Sequence, residues 1–168
     1  MNSSTLLITQ EQVKSLLDMP TVLKIVEQVY RSHGEGKVIM PTKITLDLGE
    51  GRPWPPYKGF MNAMPAYLGN VDIAGIKWAG GFQDNYRIGL PYISAMILLI
   101  NPKNGAFIAA MDGAYITAIP FGTGFAMVLT RSILALASAQ ISILPQHLSS
   151  QRDFARAVLR HRRNRFSR

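Results

Sequence analysis

With 168 residues, 48% of them hydrophobic, and no cysteine, the chain has material for one globular domain with a real core and none for disulfides or thiolate-held metals. Its net charge of +8 is unevenly held: residues 1–119 carry ten Lys/Arg against nine Asp/Glu, whereas 120–168 carry eight Arg, no Lys and one acid, Asp153. The near-neutral body has no electrostatic footprint for nucleic acid, and the opening "MNSSTLLITQEQ" lacks the basic and apolar regions of a secretory leader.

In chain order, Thr9 followed by Gln12 predicts a capping box opening a first helix, with Val13, Leu16 and Leu17 on one face. Asp18 and Pro20 open a second, whose apolar positions Val22, Leu23, Ile25, Val26, Val29 and Tyr30 recur at helical spacing until Gly34 and Gly36 stop it. Strand texture begins at Val38. "KITLDL" alternates; "GEGRPWPPYKG", with three prolines and three glycines in eleven residues, is a loop; "FMNAMPAYL" is extended as far as Pro65. "DIAGIKWAG" is a strand ending at Gly80-Gly81, and "YISAMILLIN" is a continuous apolar one expected to be buried on both faces. "PKNG" turns the chain, and "AFIAAMDGAYITA" returns antiparallel, with Asp112 closing a turn at Gly113. Hairpin connections, with no helices between the strands, predict an α+β fold: N-terminal helices packed on an antiparallel or mixed sheet.

Residues 120–168 read differently. "FGTGFAMVLTRSILALASAQISIL" is apolar without a clean period. Arg131, Gln140 and Ser142 break the uninterrupted run of about 20 residues that a membrane span wants, so no membrane partner is expected. The Arg-rich end, read alone, is a basic helix for a membrane surface or RNA, but Phe154 and Phe166 are its sole aromatics for stacking on bases.

Lys77 is the residue that asks for chemistry. An ammonium at the end of a strand, beside two glycines that let a ligand approach the backbone, can pair with a carboxylate or, partly desolvated, exchange a proton. The competing reading is a surface lysine whose stem lies along apolar neighbours. Lys43 in "MPTKI" poses the same question in a weaker context. His33, His147 and His161 have no metal-ligand spacing, so no metal site is expected, and no GxGxxG, P-loop, HExxH or nucleophile elbow occurs.

Together, "MPTKITLDL", "NAMPAYLG", "AGIKWAGGFQDN" and "GLPYISAMILLINPKNGAFIAAMDGAYITA" resemble the ornithine cyclodeaminase/mu-crystallin family, in order and spacing, from about residue 9 to residue 119. The resemblance implies NAD(P)-dependent cyclodeamination of an amino acid or dehydrogenation of an amino or imino acid, in a cytoplasmic protein with a small amino-acid or imino-acid substrate. It implies that residues 1–119 are the substrate-binding and dimerising half, forming a homodimer, with a separate Rossmann domain to follow. Lys77 matches the family's active-site lysine, and Lys43 a basic residue lining the same pocket. Met64 shares the strand of Asn62, which stands where many members have arginine; that departure puts ornithine itself in doubt.

After "ITA" the family continues with Leu-Arg-Thr-Gly-Ala, whose arginine holds the substrate carboxylate; here Pro120 takes the arginine's place. The family's GxGxxG, its ribose-gripping acid and its later catalytic aspartate have no counterpart, so 120–168 reads as a non-homologous extension. The expectation is a truncated, inactive member binding no NAD or NADP by itself, the alternative being a non-catalytic binding or dimerisation module that keeps the pocket. Arginine without lysine in this segment suits an out-of-frame origin better than a functional tail, because suitable codons for Pro120-Phe121-Gly122 give Arg-Ser-Gly in the next frame.

Overall fold

The computed structural model describes residues 5–51 and 53–118, so the extension from 120 onward lies outside the described residues. In chain order the elements are β1 (Leu6–Ile8), α1 (Gln10–Leu16), α2 (Met19–Gly34), β2 (Val38–Ile39), β3 (Ile44–Glu50), β4 (Lys58–Leu68), β5 (Ile73–Phe82), a 3-10 turn (Gln83–Ile88), β6 (Ile93–Ile100), β7 (Phe107–Asp112) and α3 (Ala114–Ala118). The strands form one seven-stranded mixed sheet in the order β1-β7-β6-β5-β4-β2, with β3 also paired to β4. β1 runs parallel to β7; every other pairing is antiparallel.

The helices start where the side chains dictate. Thr9 Oγ1 accepts the Gln12 N–H at 3.3 Å while Gln12 Oε1 accepts the Thr9 N–H at 2.9 Å, so two otherwise orphaned donors are satisfied reciprocally. Asp18 Oδ1 accepts the Thr21 N–H at 2.9 Å, with Pro20 just inside α2. Val22, Val26 and Val29 then form the stripe that α2 buries. It packs on one face of the sheet against Leu68, Ile97, Leu99, Ala109 and Met111, with Ile8 from β1, Val13 from α1 and Ile116 from α3 completing the core.

Three expectations change. β4 does not stop at Pro65 but continues to Leu68. Proline is tolerated mid-strand because β3 pairs with β4 only as far as Ala63 and β2 begins at Tyr67, leaving position 65 in the gap between them. β5 likewise runs through both glycines to Phe82. β6 is not buried on both faces: Ile97 and Leu99 are fully buried, but Met96 is 53% exposed. An uninterrupted apolar run reads as doubly covered, yet the described helices cover one face only. β1, whose three residues give too short a pattern to register as a strand, is a finding of the structure. The turn at Asp112 is as expected, its carboxylate accepting the Ala114 N–H at 2.9 Å.

Candidate functional site

Cross-strand register places the candidate residues. Lys77 in β5 faces Met64 in β4 on one side and Ile97 in β6 on the other, with Met111 of β7 next in the row. Because side chains alternate along strands, this row lies on the face that the helices cover. One step along the same face, Thr45, Asn62, Ala79 and Ala95 form the next row; beyond it come Asp47, Phe60, Gly81 and Ile93. The sequence-predicted Lys77, Asn62 and Met64 are therefore brought together on two adjacent rows. Lys43 is exposed in the segment just before β3, two residues from Thr45.

Lys77 is only 5% exposed, so it is not a surface lysine. Its neighbours in the row are apolar, and among the described residues no carboxylate or other acceptor takes its ammonium. Burial alone pushes the Lys77 amine down to about 8 from its ordinary 10.5, because leaving water penalises the charged form. A desolvated, unpaired ammonium is costly to keep. An opposite charge brought beside it would favour the charged form and raise its pKa again.

The two glycines do something other than expected. A Cβ on Gly81 would lie 2.9 Å from the Tyr92 ring and 3.0 Å from the Phe60 ring, on the Lys77 face; a Cβ on Gly80 would run into Met61 and the Phe60 carbonyl on the other. Their side-chain space is thus filled by the protein's own residues, and the glycines serve close packing of aromatic and sulfur groups over the sheet rather than the approach of a ligand.

Thr45 is the pocket residue that sequence reasoning missed. Its hydroxyl donates to Asn62 Oδ1 at 2.7 Å across the β3–β4 pair. The signal was present in the alternation of "KITLDL", which gives Thr45 and Asp47 one face, but the partner strand's register is needed to bring that face to Asn62. Past this row the surface opens into a cleft of about 410 Å³ lined by Thr45, Asp47, Phe60, Gly81 and Tyr92 among others. At its rim, Lys58 lies 3.9 Å from Asp84, which also meets Arg87 Nε at 3.4 Å, tying the 3-10 turn to the start of β4.

Among the described residues no helix covers the opposite face of the sheet. Across it, Ile44, Ala63, Trp78 and Met96 stand side by side in register, with Ile44 70% and Trp78 51% exposed. Among the described residues no helix is long and apolar enough to cross a membrane, and no group of His, Asp or Glu is placed to hold a metal ion.

A model of the ornithine cyclodeaminase/mu-crystallin family matches residues 3–142, a span that runs past residue 119, where the resemblance in the sequence had ended. The chain is 36% identical over 118 residues to alanine dehydrogenase of Archaeoglobus fulgidus, covering 70% of this chain and 34% of that protein. Among solved structures it is similar to an archaeal alanine dehydrogenase dimer with bound NAD (TM-score 0.60, 36% identity, 67% of this chain and 32% of that one). It is also similar to Thermococcus litoralis Δ1-pyrroline-2-carboxylate reductase in complex with NADH and L-proline (TM-score 0.62, 31% identity, 68% and 33%). The chain spans about a third of the length of these relatives.

Proposed function

Because the chain belongs to the ornithine cyclodeaminase/mu-crystallin family, whose members are NAD(P)-dependent cyclodeaminases, dehydrogenases and reductases, we propose that residues 5–118 supply the substrate side of such an enzyme. The substrate is a small amino or imino acid, and Lys77 receives its carboxylate. The observation that carries this reading is a buried ammonium with no partner among the described residues, in a row facing Met64 and one step from Asn62. Structures bind a charge in so dry a place when a ligand of opposite charge completes it. Lys43, exposed two residues before Thr45, would draw an anion toward the row through its charge.

NAD(P) supplies the hydride chemistry of the family when bound. The described residues do not fit it: they contain no Gly-rich turn feeding a helix N-terminus, and α3 follows an Asp-Gly turn with five residues. We propose that the catalytic step belongs to what lies outside residues 5–118, which by themselves bind substrate without turning it over. What these residues can do is hold the carboxylate, exclude water behind it with Ile97 and Met111, and take or return a proton at Lys77 Nζ near neutral pH.

The direct test is binding of pyruvate, a minimal carboxylate with an adjacent carbonyl, to the full chain by calorimetry. Binding is expected to weaken by about 10-fold or more in Lys77→Ala, the scale of losing one charge-assisted contact in a dry site. An affinity unchanged by the substitution would remove Lys77 from the site. We propose further that the face carrying Ile44, Trp78 and Met96, which no described helix covers, joins two copies of the chain, since an apolar row spanning several strands is what a self-complementary interface buries.

A further inference from the structure

The hydrogen bond between Thr45 and Asn62 gives the site a second recognition element, and its polarity specifies a substrate class. Asn62 carries one acceptor and two N–H donors. The acceptor, Oδ1, is taken by the Thr45 hydroxyl at 2.7 Å. Among the described residues nothing accepts from the Asn62 amide nitrogen, so what Asn62 can offer is a neutral pair of donors. Asn62 lies on the Lys77 face, half-buried, one row from Lys77; two residues of strand separate the rows, about 7 Å. On its far side Thr45 itself lines the cleft of about 410 Å³. Neither Lys77 nor Asn62 lines the cleft, but the Asn62 row lies between the Lys77 row and the row of Asp47, Phe60 and Gly81, so a ligand extending from Lys77 toward the cleft would lie along the Asn62 amide.

We infer that Thr45 is a positioning residue that pins the Asn62 carboxamide, and that Asn62 thereby selects amino or imino acids whose side chain ends in an acceptor oxygen over those ending in an ammonium. The inference rests on the reading of Lys77 as the carboxylate site. An acceptor oxygen satisfies the amide donors; an ammonium meets donors with donors and is left unpaired as it loses water, which is how a polar pocket group discriminates most strongly. Without the Thr45 hydroxyl the amide is free to turn, and its carbonyl can face an ammonium instead.

The test uses the full chain and four probes, measured by calorimetry at pH 7: L-aspartate and L-glutamate as acceptor-bearing ligands, L-ornithine as the ammonium-bearing one, and L-alanine as the reference without a distal group. The better of the two acidic amino acids is expected to bind about 10-fold more tightly than L-ornithine, the scale of one added hydrogen bond against one unmet donor. Thr45→Val should bring that ratio to within about threefold of unity, and Thr45→Ser, which keeps the hydroxyl, should restore it. Asn62→Asp keeps the shape and the Thr45 bond but removes the donors, and should reverse the preference toward L-ornithine. Thermal melts establish that each variant is folded. A wild-type preference for L-ornithine, or a preference for acidic ligands that survives both Thr45→Val and Asn62→Asp, overturns the inference while leaving the Lys77 site standing, provided that L-alanine binding still depends on Lys77. If none of the four binds, or binding is indifferent to Lys77→Ala, the site reading falls and the inference with it.

Discussion

Replacing Lys77 with methionine is expected to make the protein more stable at pH 7, by up to about 3 kcal/mol, while weakening its binding of pyruvate by about 10-fold or more. The magnitude follows from an amine whose pKa falls from 10.5 to about 8 on folding, since each unit is worth about 1.4 kcal/mol. The sign follows from proton counting. Between pH 8 and 10.5 the unfolded chain holds a proton at this position that the folded chain has released, so stability rises as pH climbs through that window. Below pH 8 the ammonium is charged in both states and the full desolvation penalty is present. Methionine has similar length and suits a row made by Met64, Ile97 and Met111. Denaturant melts of both proteins at pH 7, 9 and 10.5 check this. The variant's advantage should be largest at pH 7 and shrink as pH rises; a variant less stable than wild type at pH 7 would show that Lys77 contributes packing or pairing that the apolar row does not reveal. A residue that lowers stability where it stands is what a ligand site, rather than a core position, contains.

Trp78→Glu is expected to produce the other large change, in assembly rather than in the fold. Trp78 alternates with Lys77 along β5, so its ring stands on the face that no described helix covers, between Ala63 of β4 and Met96 of β6. It is 51% exposed in the single chain, and a large aromatic at the centre of an apolar row is the kind of residue that dominates an interface. Burying a carboxylate there should weaken self-association by at least about 30-fold, corresponding to a hot-spot loss of about 2 kcal/mol. Sedimentation across a concentration series should show wild type as a dimer and the variant as a monomer with unchanged secondary structure. Identical sedimentation of the two would place any interface elsewhere.

Much of the fold was legible because its local signals are strong. The Thr9/Gln12 capping box, the Asp18–Pro20 start and the Val22, Val26, Val29 stripe each act through neighbours within a turn or two and stand where the spacing placed them, whereas Leu23 and Tyr30, which the spacing also put in the stripe, are exposed. What was not legible depends on distant partners. β1 is three residues long and owes its existence to pairing with β7, about a hundred positions away. Pro65 ends a strand in isolation but not where β2 and β3 leave a gap beside it. The run from Ile93 to Ile100 carries no information about which of its faces a helix will cover.

The site divides in the same way. Lys77 stood out because it precedes two glycines at what reads as a strand end, although spacing alone left a surface position open; its 5% exposure decides that point. Gly80 and Gly81 misled, since a glycine pair looks the same whether a ligand or the protein's own Met61, Phe60 and Tyr92 fills the space. Thr45 was invisible until register brought it opposite Asn62.

Whether Lys77 is a desolvated amine that a carboxylate completes, as proposed, is read most plainly by an NMR titration of its side chain, followed at the carbon next to its nitrogen, with and without saturating pyruvate. A midpoint about 8 is expected in the free chain, with a rise of at least about one unit when pyruvate is bound, because an opposite charge within contact favours the ammonium. A free-chain midpoint near the ordinary lysine value, unmoved by pyruvate, would contradict the proposal.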